Sequence, residues 1–160
     1  MKAGIRRFFG AVYTLEKWML TIILVVMMAV LLLQVFFRYI VKSPLLWTEE
    51  LSRFLLIWMG MSGIGYGMRG NLHVKMEVLH NMMPRILQKV IRGLISLLCI
   101  AGFALLLPHA VDFVIDQNKM RASAVPITYG AVFVSLCVGA VLLILHCVED
   151  LLELVWEGGD

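Results

Sequence analysis

The run from Trp18 to Phe37, WMLTIILVVMMAVLLLQVFF, contains no charged side chain. A bilayer core about 30 Å thick is crossed by a helix of roughly 20 apolar residues, so this run alone commits the chain to lipid. In hydrocarbon every backbone N–H and C=O must be satisfied within the segment or a closed barrel. A long uninterrupted run does this as a helix, not as short alternating strands. Three further apolar stretches follow: Pro44 to Met68, with its charges confined to the first turns, Ile86 to Pro108, and Ile127 to Cys147. Charged residues make up 16% of the 160-residue chain and hydrophobic ones 61%, against about 25% charged in an ordinary soluble domain. The expected fold is a single all-α integral membrane domain, residues 1–160, with four transmembrane helices near 18–37, 44–68, 86–108 and 127–147.

Lys and Arg collect on the cytoplasmic side of membrane proteins. Lys2, Arg6, Arg7 and Lys17 precede the first span, and Arg69, Lys75, Arg85, Lys89 and Arg92 surround the connection between the second and third. The opposite face has Arg38, Lys42, Arg53, Lys119 and Arg121. Four spans put the two ends on one side, so both termini are expected in the cytoplasm, with Glu49 and the segment 112–121 facing outward. The first span exceeds the 7–15 apolar residues of a signal peptide and lacks a small-residue cleavage site; it is expected to stay attached. Two stretches have the pattern of amphipathic surface helices. Residues 5–13 put Ile5, Phe8, Phe9 and Val12 on one side, and residues 71–83 form a stripe of Leu72, Met76, Leu79 and Met83. Cys99, Cys137 and Cys147 lie within predicted spans without a CxxC pair and fit small buried packing residues.

The second span carries the most distinctive residues. At about 100° per residue, Glu49, Arg53, Gly60 and Gly67 share one helix face. Glu49 and Glu50 stand four and three residues before Arg53, spacings at which the arginine is neutralised within its own helix. Gly63 and Gly67 form a GxxxG, which admits another helix at close range, while Trp47 and Trp58 point to a different side. One reading is a wet helix end with an aromatic belt. The other is a docking face for a helix of a partner protein, since ionisable groups near a span face protein or water rather than lipid.

The span centres offer little polar chemistry beyond Gln34, Ser62, Ser96 and Ser135. A carrier that binds its own ion or solute is expected to place polar groups or broken helices near the midplane. His73, His80, His109 and His146 read as interfacial residues, not as facing haem ligands. No catalytic, cofactor-binding or metal-ligating set is expected, and no nucleic-acid partner.

The order WTEELSRFLLIWMGMSG at Trp47 to Gly63, NLHVKMEVL at Asn71 to Leu79 and SAVPITYG at Ser123 to Gly130 resembles the DctQ-like small membrane subunit of tripartite ATP-independent periplasmic (TRAP) transporters, over roughly residues 18–146. The resemblance implies a bacterial inner-membrane subunit with no enzymatic activity. It implies a periplasmic binding protein that captures an organic acid, such as a dicarboxylate or sialic acid, and a large subunit that moves it with sodium ions by an elevator motion. The small subunit clasps the large one's scaffold. By matching position, Glu49, Glu50, Arg53, Trp58 and His73 become candidate structural or partner contacts, beside Trp47, Gly60, Gly63 and Gly67 from the helix-face argument. Two other classes remain open: a haem-carrying membrane anchor of a redox complex, and a small self-sufficient exporter acting as a dimer.

Overall fold

A computed structural model of the chain describes the backbone of residues 2–80 and 85–157 and the side chains of residues 4, 7–67 and 87–155. The described residues form four α-helices and no strand: α1 (Lys2–Phe36), α2 (Leu46–His80), α3 (Arg85–Gln117) and α4 (Tyr129–Glu157). The protein is all-α. Three segments are long and apolar enough to cross a membrane: Arg7–Val41, Leu87–Gln117 and Tyr129–Val155. α2 is not among them, because it carries Glu49, Glu50 and Arg53 in its first turns and Gly60, Gly63, Gly65 and Gly67 further on, which lower its apolar content.

Several helices outrun their apolar runs. α1 includes the predicted surface lead-in at 5–13 without a break. Tyr13 holds that portion against α2, its ring stacked on Tyr66 at 4.8 Å between centroids and its hydroxyl bonded to the Tyr66 hydroxyl at 2.9 Å. At its far end α1 widens into a π-helical turn, Phe37–Val41. Lys42 ends it with a left-handed φ of 56° as its N–H returns to the Phe37 carbonyl. α3 continues past Pro108 to Gln117. α2 runs on through 71–80, so the backbone of the second predicted surface segment is helical as far as His80. Its side chains, including His73, and residues 81–84 lie outside the described residues.

The main packing contacts run in the order α1, α2, α4, α3, with α2 also touching α3 and α1 reaching α4 through Glu16 and His146. α4 is the axis of this row: 39% of its apolar segment is buried within the chain, against 6% for α1 and 6% for α3. The buried residues of α4 include Val132, Ser135, Ala140, Leu143, His146, Cys147 and Asp150, a stripe at the three-and-four spacing of one helix face. Two glycines set its contacts. A Cβ at Gly139 would stand 2.5 Å from the Met61 carbonyl oxygen, and one at Gly130 would stand 2.7 Å from the Asn118 Cα. The α2–α4 contact is thus backbone against backbone, the approach that small residues permit where lipid supplies no hydrophobic drive.

Candidate functional site

The structure separates the charged mouth of α2 into two halves. Glu49 and Arg53 meet at 3.1 Å with side chains 52% and 68% exposed, and the Arg53 Nε also donates to the Glu49 carbonyl at 3.4 Å. Glu50 turns elsewhere, about 100° further around the helix. Its carboxylate accepts the backbone N–H groups of Ser123 at 3.0 Å, Ala124 at 2.7 Å and Val125 at 3.0 Å. The Tyr129 hydroxyl donates to it at 3.4 Å. The expectation that Glu50 joins Arg53 in one ionic network is therefore corrected. Three preoriented amides satisfy the ionised oxygens more fully than one flexible guanidinium, and bonds to a charged acceptor are the stronger kind.

The segment that Glu50 grips is a compact knot. Ala122 donates to the Ile127 carbonyl at 3.0 Å and Tyr129 to the Met120 carbonyl at 3.0 Å, with an antiparallel bridge between Arg121 and Thr128. The Thr128 hydroxyl bonds the Asn118 side chain at 2.7 Å. Phe54, one turn after Glu50, sets its ring edge-on to Tyr129 at 5.7 Å. Glu50 thus joins the start of α2 to the start of α4.

The glycine stripe faces away from the rest of the chain. Nothing among the described residues lies within 4 Å of a Cβ built on Gly60, Gly63 or Gly67. Glu49 and Arg53 open the same face. Trp47 is 38% exposed and Trp58 is half-buried. The opposite face of α2 packs within the chain through Thr48, Ser52 and Ser62, all buried. α2 therefore has one face fitted to α4 and α1 and one grooved face with no occupant among the described residues.

Charged clusters that sequence reasoning missed lie at the other end of the row. Arg92 of α3 pairs with Asp150 of α4 and reaches Glu153 at 3.5 Å, while the Ser96 hydroxyl donates to Asp150 at 2.6 Å. Glu16 of α1 meets His146 of α4, Oε2 to Nε2, at 2.8 Å, with side chains 1% and 3% exposed. Gly65 leaves space for this pair: its Cβ would stand 3.1 Å from Glu16 Oε1 and 3.3 Å from His146 Cδ2. His146 is therefore buried and paired, not interfacial as expected. The one signal in the sequence was the spacing of His146, Glu149, Asp150 and Glu153, which shares a helix face. Among the described residues no three His, Cys, Asp or Glu side chains converge as metal ligands.

The chain matches the family described as "Tripartite ATP-independent periplasmic transporters, DctQ component" over residues 8–156. It is 27% identical to the sialic acid TRAP transporter permease protein SiaT of Haemophilus influenzae across 84% of this chain and 22% of that protein. It is 27% identical to the C4-dicarboxylate TRAP transporter small permease protein DctQ of Vibrio cholerae across 59% of this chain and 40% of that one. The ectoine TRAP transporter small permease protein TeaB of Halomonas elongata is 28% identical across 49% of this chain and 41% of its own length. The chain thus spans less than half the length of each of these relatives. With apolar helices long enough to cross a bilayer and a family match that covers nearly its whole length, the chain is a membrane protein and belongs to the DctQ family of TRAP transporter components.

Proposed function

We propose that the chain is the small accessory subunit of a sodium-coupled TRAP transporter in the bacterial inner membrane. In this reading it clasps the scaffold of a large elevator subunit, which takes up an organic acid delivered by a periplasmic binding protein. Family membership supports the general role. The observation that carries the clasping role is the unoccupied face of α2, where Glu49, Arg53, Gly60, Gly63 and Gly67 form a groove open to another helix. The relatives named for sialic acid and for C4-dicarboxylates support a carboxylate substrate.

In the proposed topology α2 is a fourth span and both termini are cytoplasmic. Its start is bonded to the segment before α4 through Glu50, and Tyr66 meets Tyr13 near the start of α1. From Glu50 to Tyr66 the helix rises about 24 Å, most of a bilayer core. The polar, small-residue side of α2 rests on α4, which explains how a helix of modest hydropathy is accommodated.

Copurification tests the proposal. The tagged chain, coexpressed with a large TRAP membrane subunit and its binding protein, is expected to carry the large subunit with it and to support sodium-dependent uptake of sialic acid or a C4-dicarboxylate. Arg53→Ala would leave Glu49 without its cation in a desolvated contact, a loss of about 3 to 5 kcal/mol, whereas an exposed pair contributes about 0 to 1 kcal/mol. Normal recovery and uptake with Arg53→Ala would show that this pair is only a solvated helix end. Failure of the wild-type chain to retain any large subunit would remove the clasping role itself.

A further inference from the structure

We propose that Cys99 of α3 and Cys147 of α4 form a two-thiol binding site for a soft divalent metal ion, which on entering joins the two helices through their sulfurs. α3 and α4 run antiparallel in a register fixed at both ends. Arg92 pairs with Asp150, the Ser96 hydroxyl donates to Asp150 at 2.6 Å, and the Phe113 ring meets Phe133 edge-on at 5.0 Å. Phe113 lies as far forward of Ser96 along α3 as Phe133 lies back from Asp150 along α4. The helices therefore stay in step. Cys99 lies three residues on from Ser96, and Cys147 three residues back from Asp150, so the register sets the two cysteines opposite each other. Their thiols share a side-chain hydrogen bond. Cys147 is 2% exposed and Cys99 is half-buried.

Donor number and charge select the ion. Among the described residues no three His, Cys, Asp or Glu side chains converge, and Asp150, one turn beyond Cys147, is directed to Arg92 and Ser96. Structural zinc is four-coordinate and calcium takes roughly six to eight oxygens. Two sulfurs satisfy neither. Soft ions prefer sulfur, and the mercuric ion is fully coordinated by two thiolates in line. Charge separates it from the monovalent soft ions. When Cu(I) or Ag(I) replaces two thiol protons, a negative charge stays behind in a site withdrawn from water and close to Asp150, which burial opposes. When a divalent ion replaces them, the site is as neutral as before. With mercuric chloride both S–H bonds break, two S–Hg bonds form, and the two protons leave with the two chlorides; no atom changes oxidation state. Uncharged mercuric chloride enters lipid, and Cys99, on a helix whose apolar segment is 6% buried, is the sulfur it meets first. Cys147 then supplies the second bond.

Cys137 provides an internal contrast. It lies ten residues before Cys147 on α4, about 15 Å along the axis. The register sets His109 opposite it on α3, where His109 Nδ1 lies 3.2 Å from the Leu105 carbonyl. The chain has three cysteines, so Cys137 has no second thiol within its own copy. A mercuric ion there keeps one chloride and is removed by a competing monothiol. An ion held by two thiols on packed helices resists exchange, because breaking one bond leaves it tethered by the other.

The test is mercury retention by the full, reduced chain in nanodiscs, for the wild type, Cys99→Ser, Cys147→Ser and Cys137→Ser. Each is exposed to mercuric chloride, washed with excess glutathione, and read by intact-protein mass spectrometry and by counting the thiols that still react with a maleimide. The wild type and Cys137→Ser are expected to retain one mercury in place of two hydrogens and to lose two reactive thiols. Cys99→Ser and Cys147→Ser are expected to retain at least about 10-fold less after the same wash. Where a Ser variant melts below the wild type before mercury is added, the Ala variant takes its place. Retention by Cys99→Ser or Cys147→Ser equal to the wild type, loss of retention in Cys137→Ser, a mercury that links two copies, or no retention by the wild type overturns the proposal. No transport partner enters this measurement, so its outcome is independent of the clasping role.

Discussion

Glu50 shows how little the local sequence says about a charged residue. Its neighbours Glu49 and Arg53 are within one turn and invite an ionic network, yet the amides that hold its carboxylate belong to Ser123, Ala124 and Val125. No helix-spacing argument reaches that far along the chain. The pairing of Glu16 in α1 with His146 in α4 was equally invisible, since the one local partner of the ring, Glu149, says nothing of a residue 130 positions away. Glu49 and Arg53 were legible because their pairing is local. Replacing Glu50 with Gln removes the charge from the grip and half of the accepting oxygens. The amides of residues 123–125 are then expected to exchange hydrogen for deuterium faster in the full chain, with little change in the middle of α4. Unchanged exchange at those amides would mean that the internal bonds of the knot, among them Ala122 to Ile127, hold it without Glu50.

Among elements, glycine takes opposite meanings on opposite faces of the same helix pair. Gly139 stands where α2 and α4 touch backbone to backbone, and Gly63 stands over open space. Gly139→Ala is expected to push the helices apart, lowering the stability of the isolated chain on the scale of overpacking, about 1 to 3 kcal/mol. Gly63→Leu is expected to leave the melting temperature of the isolated chain unchanged while reducing recovery of the large subunit. A Gly63→Leu chain that assembles and transports like the wild type would assign the groove to lipid. The angular arithmetic of an ideal helix was enough to gather Glu49, Arg53, Gly60 and Gly67 on one face, because rotation about an axis needs no knowledge of the neighbours. It could not say that Gly65 and Gly139, and not the GxxxG, make the contacts inside the chain. A glycine in a helical run looks the same whichever element it meets. The helical character of the long runs was equally legible, as was the uncharged core of α1. The ends of the helices were not, since α1 and α3 extend into polar residues that packing and continuity keep helical.

At the scale of the whole molecule, nine of the 14 Lys and Arg residues belong to the segment before the first span and the connection between the second and third, and orientation is the expectation they carry. Arg7, Lys17, Lys89 and Arg92 lie toward the end where α1 begins and α4 finishes, while Glu50 and the 118–128 segment mark the other. Single cysteines introduced at Lys2 and at Ser123, in a chain whose three native cysteines are replaced by Ala, can be read with an impermeant thiol reagent. In intact cells stripped of their outer membrane, labelling at position 123 and protection at position 2 are expected. The reverse pattern would invert the topology.

The order α1, α2, α4, α3 has a geometric consequence for passage across the membrane. To wall off a lumen, helices must close into a ring, so that each stands opposite another with a gap between. Among the described residues α4 touches each of the other three helices, α1 through Glu16 and His146, so none of them stands across a gap from it. In the proposed role, a solute that crosses beside these helices finds its walls in another polypeptide.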